Sequence, residues 1–322
     1  MKTSTQAYQQ TTEKFGDFDL IRISNGINEL AVIPEYGGHL LELNMMVNGQ
    51  LTNVLESYTT PESLIKLDYY KSAFLLPYPN RLKDGVYQYN GKNYAFPVND
   101  KDTNNSLHGF RDFLKMSVEN IITEENFASI TLKNSYQGSN PSFPFSFEFT
   151  VTYILSGYND LTCEVQLYNP TNETIPIGFG WHPYFQLGNL TVDELELQMP
   201  TVQQVLVDDR MLPTGKLTTI STYNSLTNLT NKNFDTCFKV NKEDISEVSI
   251  HAPSLNTKLT YWQENNAFPY FQVFIPPKRK SIAIEPMTCN VNAFNSKEDL
   301  KELNGQERFT GKFGVRVADI AV

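Results

Sequence analysis

The chain has 322 residues, 40% apolar and 19% charged, so it can bury a large core and is too apolar for a disordered segment. Its formal net charge of −10 repels phosphate backbones and argues against nucleic-acid binding. Cys163, Cys237 and Cys289 lie far apart and suggest neither a disulfide framework nor a metal site, and no stretch nears the roughly 18 apolar residues of a membrane span.

Length alone allows two domains, but all-β folds of about 200–250 residues often form one, and no linker, repeat or low-complexity tract divides this chain. A single domain over 1–322 is therefore expected, with residues 1–15, rich in Thr and Gln, as a loose leader or an edge strand. Met1 to Lys14 is polar and lacks the apolar stretch of a secretory leader. With so few cysteines, this predicts a reducing, cytoplasmic setting.

From Phe18 the pattern becomes strand, turn, strand. Ile21 and Ile23, then Leu30 and Val32, predict a pair around Asn25-Gly26. Tyr36 to Leu40 turns into a strand through Met46, and Asn48-Gly49 predicts a hairpin returning through Leu55. Thr60-Pro61 predicts a short helical turn, with a threonine cap and proline at the first helical position. Asn90-Gly91 marks a second hairpin.

Strict alternation over 147–155 and 161–169 predicts antiparallel neighbours joined at Ser156 to Asp160. Later strands are predicted at 194–199, 204–207, 247–251, 258–262, 270–275, 281–285 and 314–320. Ser296 followed by Asp299 predicts a capped short helix through Leu303. No long amphipathic helix is visible. The expected fold is all-β: a large antiparallel β-sandwich with a few short helices.

Candidate chemistry centres on Gly180-Trp181-His182-Pro183-Tyr184-Phe185. Pro183 donates no ladder hydrogen bond and holds His182 extended at a strand end. The flanking rings suit sugar C–H faces, although a core histidine in an aromatic cluster fits equally well. His108, in Leu107-His108-Gly109, is followed by a glycine that permits close approach. His39 and His251 read as structural or surface residues.

Asn80-Arg81 sets an amide beside a guanidinium whose planar fork suits hydroxyls or a carboxylate. Glu285 ends an apolar strand, where burial raises its pKa and a nearby cation lowers it; either way it can act as a base near neutral pH. Asp235 sits between aromatics, and Gln272 offers both a donor and an acceptor.

Taken in order, Asn80-Arg81, Leu107-His108-Gly109, His182-Pro183-Tyr184-Phe185, Asp235 to Phe238, and Glu285 through Thr288 to Ala293-Phe294-Asn295 resemble the aldose 1-epimerases, the galactose-mutarotase-like proteins. The resemblance spans roughly residues 25–320 and rests on the order of five individually weak motifs. It implies a β-supersandwich and interconversion of sugar anomers by ring opening and reclosure, with no cofactor and no metal.

By position, it implies Glu285 as general base at the anomeric hydroxyl and His182 as general acid at the ring oxygen, with His108 holding and polarising that oxygen. Arg81, Asp235 and Gln272 would bind hydroxyls, with Asn80 in support and Trp181 and Tyr184 as flanking sugar contacts. A small sugar is the implied partner. Trp181, Thr236 and Gln186 depart from the family pattern, and the first two put the shape of the sugar pocket in question.

His108-Gly109-Phe110-Arg111 also resembles, faintly, the hexose-6-phosphate mutarotases. Lys83, Arg111 and Lys115 would supply phosphate charge in that reading, although a solvated surface role suits them better. Two other readings are a carbohydrate-binding protein without turnover and a glycosidase using Asp235 and Glu285 as a carboxylate pair. The glycosidase leaves the histidine motifs without a purpose.

Overall fold

The computed structural model describes residues 7–110, 114–241 and 243–320. Two large sheets dominate, and every pairing between their strands is antiparallel. The nine-stranded sheet contains Phe147–Ser156 and Asp160–Tyr168, paired over their full length, then Arg308–Asp319, Thr257–Glu264 and Ile245–Ala252. The eight-stranded sheet runs through Val202–Val207, Asp235–Lys239, Tyr270–Phe274, Ile282–Met287 and Gly180–Trp181. A five-stranded sheet covers residues 9–53, and its first strand, Gln9–Phe15, is an edge strand. Residues 9–15 of the expected leader are this edge strand; residues 1–6 lie outside the described residues.

Alternation builds the core. In Phe147–Ser156, Phe147, Phe149, Val151, Tyr153 and Leu155 are buried while the intervening residues are half-exposed. Full burial of such a side chain is worth about 1.5–3 kcal/mol. Aromatic rings bridge the two large sheets: Phe74 meets Phe149 at 5.2 Å and Trp181 meets Phe313 at 5.2 Å between centroids. Asn28 and Asn159 tie the five-stranded sheet to the turn at 156–160, with Asn28 Nδ2 donating to the Gly157 carbonyl at 3.0 Å and Asn159 N donating to Asn28 Oδ1 at 2.8 Å.

The hairpins at Asn48-Gly49 and Asn90-Gly91 form as expected, with all four residues at positive φ. Thr60 caps Pro61–Lys66. The helix expected from Ser296 through Leu303 is a correction. The helical turn is Ala293–Ser296 and ends there, because Lys297 and Asp299 adopt left-handed conformations with φ 63° and 56°. Lys301–Leu303 is a strand paired with Ile175–Ile177. Burial of Leu303 outweighs the local capping signal.

Among the described residues no helix is long and apolar enough to cross a membrane. All three cysteines are buried and free.

His39 begins a strand and is fully enclosed between Tyr36 and Tyr58, and neither ring nitrogen has a hydrogen-bond partner. Burial pushes its pKa down to about 3. Unfolded, it binds a proton below about 6.5 that the folded form refuses until about 3, so folding stability rises with pH across that window. Chemical denaturation of His39→Leu should therefore show a smaller stability difference between pH 7 and pH 4.5 than wild type, by up to roughly 2–3 kcal/mol. An unchanged difference would contradict the neutral burial of His39.

Candidate active site

The period of two gives the eight-stranded sheet two chemically different faces. Phe238, Phe271, Val273, Ile282 and Ile284 enter the main core. Between them, Cys237, Gln272 and Glu285 stand opposite one another on three adjacent strands and share the other face, with Asp235 two residues before Cys237. That face floors a cavity of about 260 Å³ lined by Asn80, Arg81, His108, His182, Tyr184, Asp235, Gln272 and Glu285.

The same alternation corrects one expectation. Trp181 does not face the cavity. It is fully buried against Phe313, and its indole N–H donates to the Ser72 carbonyl at 3.2 Å. Its neighbour His182 lines the cavity instead. Thr236 likewise falls between Asp235 and Cys237 in the strand and is absent from the cavity wall, so neither departure from the family pattern shapes that wall.

His182 is tied to the segment before it by backbone bonds in both directions, from Ser72 N to the His182 carbonyl (2.8 Å) and from His182 N to the Ala73 carbonyl (3.0 Å). Its ring stacks on Tyr184 at 4.8 Å, and Tyr184 Oη donates to the Tyr69 carbonyl at 3.0 Å. His182 Nε2 lies 3.4 Å from Glu285 Oε1. Both side chains are almost fully buried, and His182 Nδ1 and Glu285 Oε2 have no hydrogen-bond partner.

Burial drives this pair toward neutrality. It pushes His182 down to about 3 and raises Glu285 well above the usual carboxylate range. Asp235 adds to the rise at Glu285 through repulsion, and Arg81 opposes it. Both shifts favour the neutral carboxyl and the neutral imidazole over the ion pair.

His108 is fixed by Asn80. Asn80 N donates to His108 Nδ1 at 3.1 Å, and His108 N donates to the Asn80 carbonyl at 2.9 Å. Because Nδ1 accepts, the neutral ring carries its proton on Nε2 as a donor. Burial, then the nearness of His182 and Arg81, keeps this ring neutral. Gly109 is required beside it: φ is +69°, and a Cβ there would lie 2.3 Å from the Leu76 carbonyl oxygen.

Arg81 begins a strand and is held from two sides. Its Nε donates to Asp100 Oδ2 at 2.8 Å, and one terminal nitrogen lies 3.6 Å from Asp235 Oδ2. Gln272 Nε2 donates to Asp235 Oδ1 at 2.6 Å, while its own Oε1 is buried without a partner. The result is a rim of oriented donors and acceptors beside a proton-carrying pair, an arrangement suited to binding a polyol and moving protons on it.

Sequence reasoning did not single out Tyr69, Tyr70, Leu107 or Phe274, which also line the cavity. Phe274 could have been found by its alternation with Gln272. The ring of Tyr70 meets that of His108 at 4.7 Å, tilted by 58°. Leu67, Tyr69, Tyr70 and Ser72 all adopt positive φ, a concentration of strain beside the cavity that only the tandem tyrosines hint at. Among the residues proposed for phosphate, Lys83 and Lys115 lie off the cavity wall and Arg111 lies outside the described residues. His39 and His251 are also absent from it.

A family model described as Aldose 1-epimerase matches residues 19–316. The uncharacterized protein YihR of Escherichia coli strain K12 is 29% identical over 234 residues, covering 70% of this chain and 72% of that protein. Galactose mutarotase of Rattus norvegicus is 27% identical over 177 residues, 52% of this chain and 48% of the rat protein. A galactose mutarotase-like protein from Clostridium acetobutylicum superposes with a TM-score of 0.86 at 21% identity, over 98% of this chain and all of the other. At that identity the likeness speaks for the fold, a galactose mutarotase-like one.

The electrostatics are directly measurable. Infrared difference spectra across a pH titration should show a carboxyl, absent in Glu285→Gln, that loses its proton above the usual carboxylate range. In Asp235→Asn, with the repulsion removed, that proton should be lost at lower pH than in wild type. No shift, or a shift upward, would contradict the part given to Asp235.

Proposed function

The chain belongs to the aldose 1-epimerase family, and on that premise we propose that it is a mutarotase interconverting the α and β anomers of a free hexose such as glucose or galactose. The observation that carries this reading is the 3.4 Å contact between His182 Nε2 and Glu285 Oε1, buried on the floor of a sugar-sized cavity.

Ring opening begins with the shared proton on His182. Glu285 takes the proton of the anomeric hydroxyl as His182 gives one to the ring oxygen, and the bond from C1 to that oxygen breaks. Glu285 is then protonated and His182 neutral, which is the tautomer that burial favours. Rotation about C1–C2 turns the aldehyde. His182 takes the proton back as the hydroxyl adds to the other face, and Glu285 returns its proton to O1. His108 Nε2–H is the donor that holds the ring oxygen. Arg81, Asp235 and Gln272 hold hydroxyls, with Asn80 fixing His108 and Tyr184 supporting His182.

The charge inventory supports an uncharged sugar. Arg81 is the one cation among the described residues lining the cavity, and two carboxylates already face it. Asp235 is committed to Arg81 and Gln272, which suits a binding role better than that of a glycosidase nucleophile. The continuous core from Tyr8 to Val317 supports a single working domain, and three buried free thiols suit a reducing cytoplasm.

Polarimetry on fresh α-glucose and α-galactose tests the proposal. The protein should accelerate mutarotation over buffer at equal pH. Glu285→Gln and His182→Asn should each lower kcat by roughly 10²–10⁴-fold while sugar binding changes far less. A wild-type protein that binds hexose without accelerating its mutarotation would instead be a carbohydrate-binding member of the family.

A further inference from the structure

We propose that Asp100 and Arg210 are positioning residues that set sugar affinity through Arg81, although neither lines the cavity; the inference rests on Arg81 acting as a hydroxyl-binding residue of a mutarotase. Asp100 takes the Nε edge of the guanidinium at 2.8 Å, and both side chains are only about one-seventh exposed, at 15% and 14%. A charge-assisted bond in so sheltered a setting fixes the plane of the guanidinium. The Nη edge is thereby turned toward Asp235 and the cavity. Without that anchor, a long, rotamer-rich side chain would have to be ordered by the sugar itself, at a cost in affinity.

Asp100 is in turn built into a closed loop. Its N–H and carbonyl both bond Asn105, at 3.1 and 3.0 Å. Thr103 Oγ1 donates to Asp100 Oδ2 at 2.5 Å, and the buried Asn105 donates to Thr103 Oγ1 at 2.8 Å. The strand leaving this loop, Asn105–Leu107, pairs with Arg81–Lys83 and sets Leu107 opposite Arg81.

Arg210 pins the loop from outside. It comes from the connection between Val202–Val207 and Pro213–Ile220, more than a hundred residues away in sequence. Its guanidinium donates to the Thr103 carbonyl (3.0 Å), the Asn104 carbonyl (2.8 Å), Asn105 Oδ1 (3.2 Å) and Asp84 Oδ1 (2.7 Å), and its own carbonyl accepts from Asn105 Nδ2 at 2.9 Å. No catalytic purpose accounts for so many bonds from one arginine to a six-residue loop. Holding Asp100, and through it Arg81, does account for them.

A double-mutant cycle tests this in the polarimetric assay. Asp100→Ala should raise KM about tenfold or more and change kcat by less than about threefold, because it removes binding common to ground and transition states. Asp100→Asn, which keeps an acceptor oxygen, should raise KM less, and Arg210→Ala should raise it about threefold. In an Arg81→Ala background, Asp100→Ala should change KM by less than about twofold. A full additive effect in that background, or an unchanged KM in Asp100→Ala, would overturn the inference. If Asp100→Ala does not fold, Asp100→Asn with and without Arg81→Ala carries the same test.

The wild-type rate separates this inference from the reading beneath it. A wild type without turnover overturns the mutarotase reading, and the cycle is then read in galactose affinity by calorimetry. A wild type that binds no galactose overturns both.

Discussion

The contact between Glu285 and His182 places two ionisable groups where water cannot stabilise a charge on either. Each alone would be an expensive buried polar group. Together they need only one proton between them to be neutral, and burial enforces that state by raising the carboxyl and lowering the imidazole. The proton count of the pair then stays the same whether the proton sits on oxygen or nitrogen. A reaction that takes a proton at one oxygen of a hemiacetal and supplies one at another asks for that property. The unpaired His182 Nδ1 and Glu285 Oε2 add to what folding must offset, and the aromatic interface between the two sheets provides the compensating burial.

Holding the pair this way depends on strand periodicity more than on any local bond. Gln272 and Glu285 are direct cross-strand partners, so each is placed to within the tolerance of a ladder hydrogen bond. The neighbours Phe271, Val273, Ile284 and Ile282 are committed to the core, and a register slip of one residue would put a carboxylate into it. The site therefore inherits its geometry from the core, which excludes the one-residue slips that would reverse the two faces.

Much of this is legible in the sequence. Alternation at 147–155 and 161–169 gave the sheet, and asparagine–glycine pairs gave two hairpins. His182 could be placed at a strand end by its proline. What failed, failed for identifiable reasons. The strand pair Ser117–Thr123 and Phe127–Tyr136 escaped notice because its first member is exposed on both faces and carries no period-two signal. Trp181 reads as a sugar contact because an aromatic beside a candidate histidine resembles a stacking surface. One step along a strand reverses the face, and the core claimed it. Asp100 and Arg210 have no local signature: Asp100 meets Arg81 across 19 residues, and the bonds of Arg210 to the loop cross more than a hundred.

The arrangement around Arg81 carries the argument from chemistry to ligand. An arginine meant for a phosphate keeps an edge of its fork free, because bidentate contact with an anion uses two parallel N–H groups of one edge. Here one edge is spent on Asp100 and another nitrogen faces Asp235. An incoming anion would meet the Asp235 carboxylate beside the cation, whose charge Asp100 already offsets from behind the cavity wall. A hydroxyl meets no such penalty, since it can accept from the guanidinium and donate to Asp235 in the same place. Anchoring the arginine between two acids thus does two things at once. It orders a flexible side chain in advance of binding, and, in the function proposed for this cavity, it suits the one cation among the described lining residues to neutral polyols.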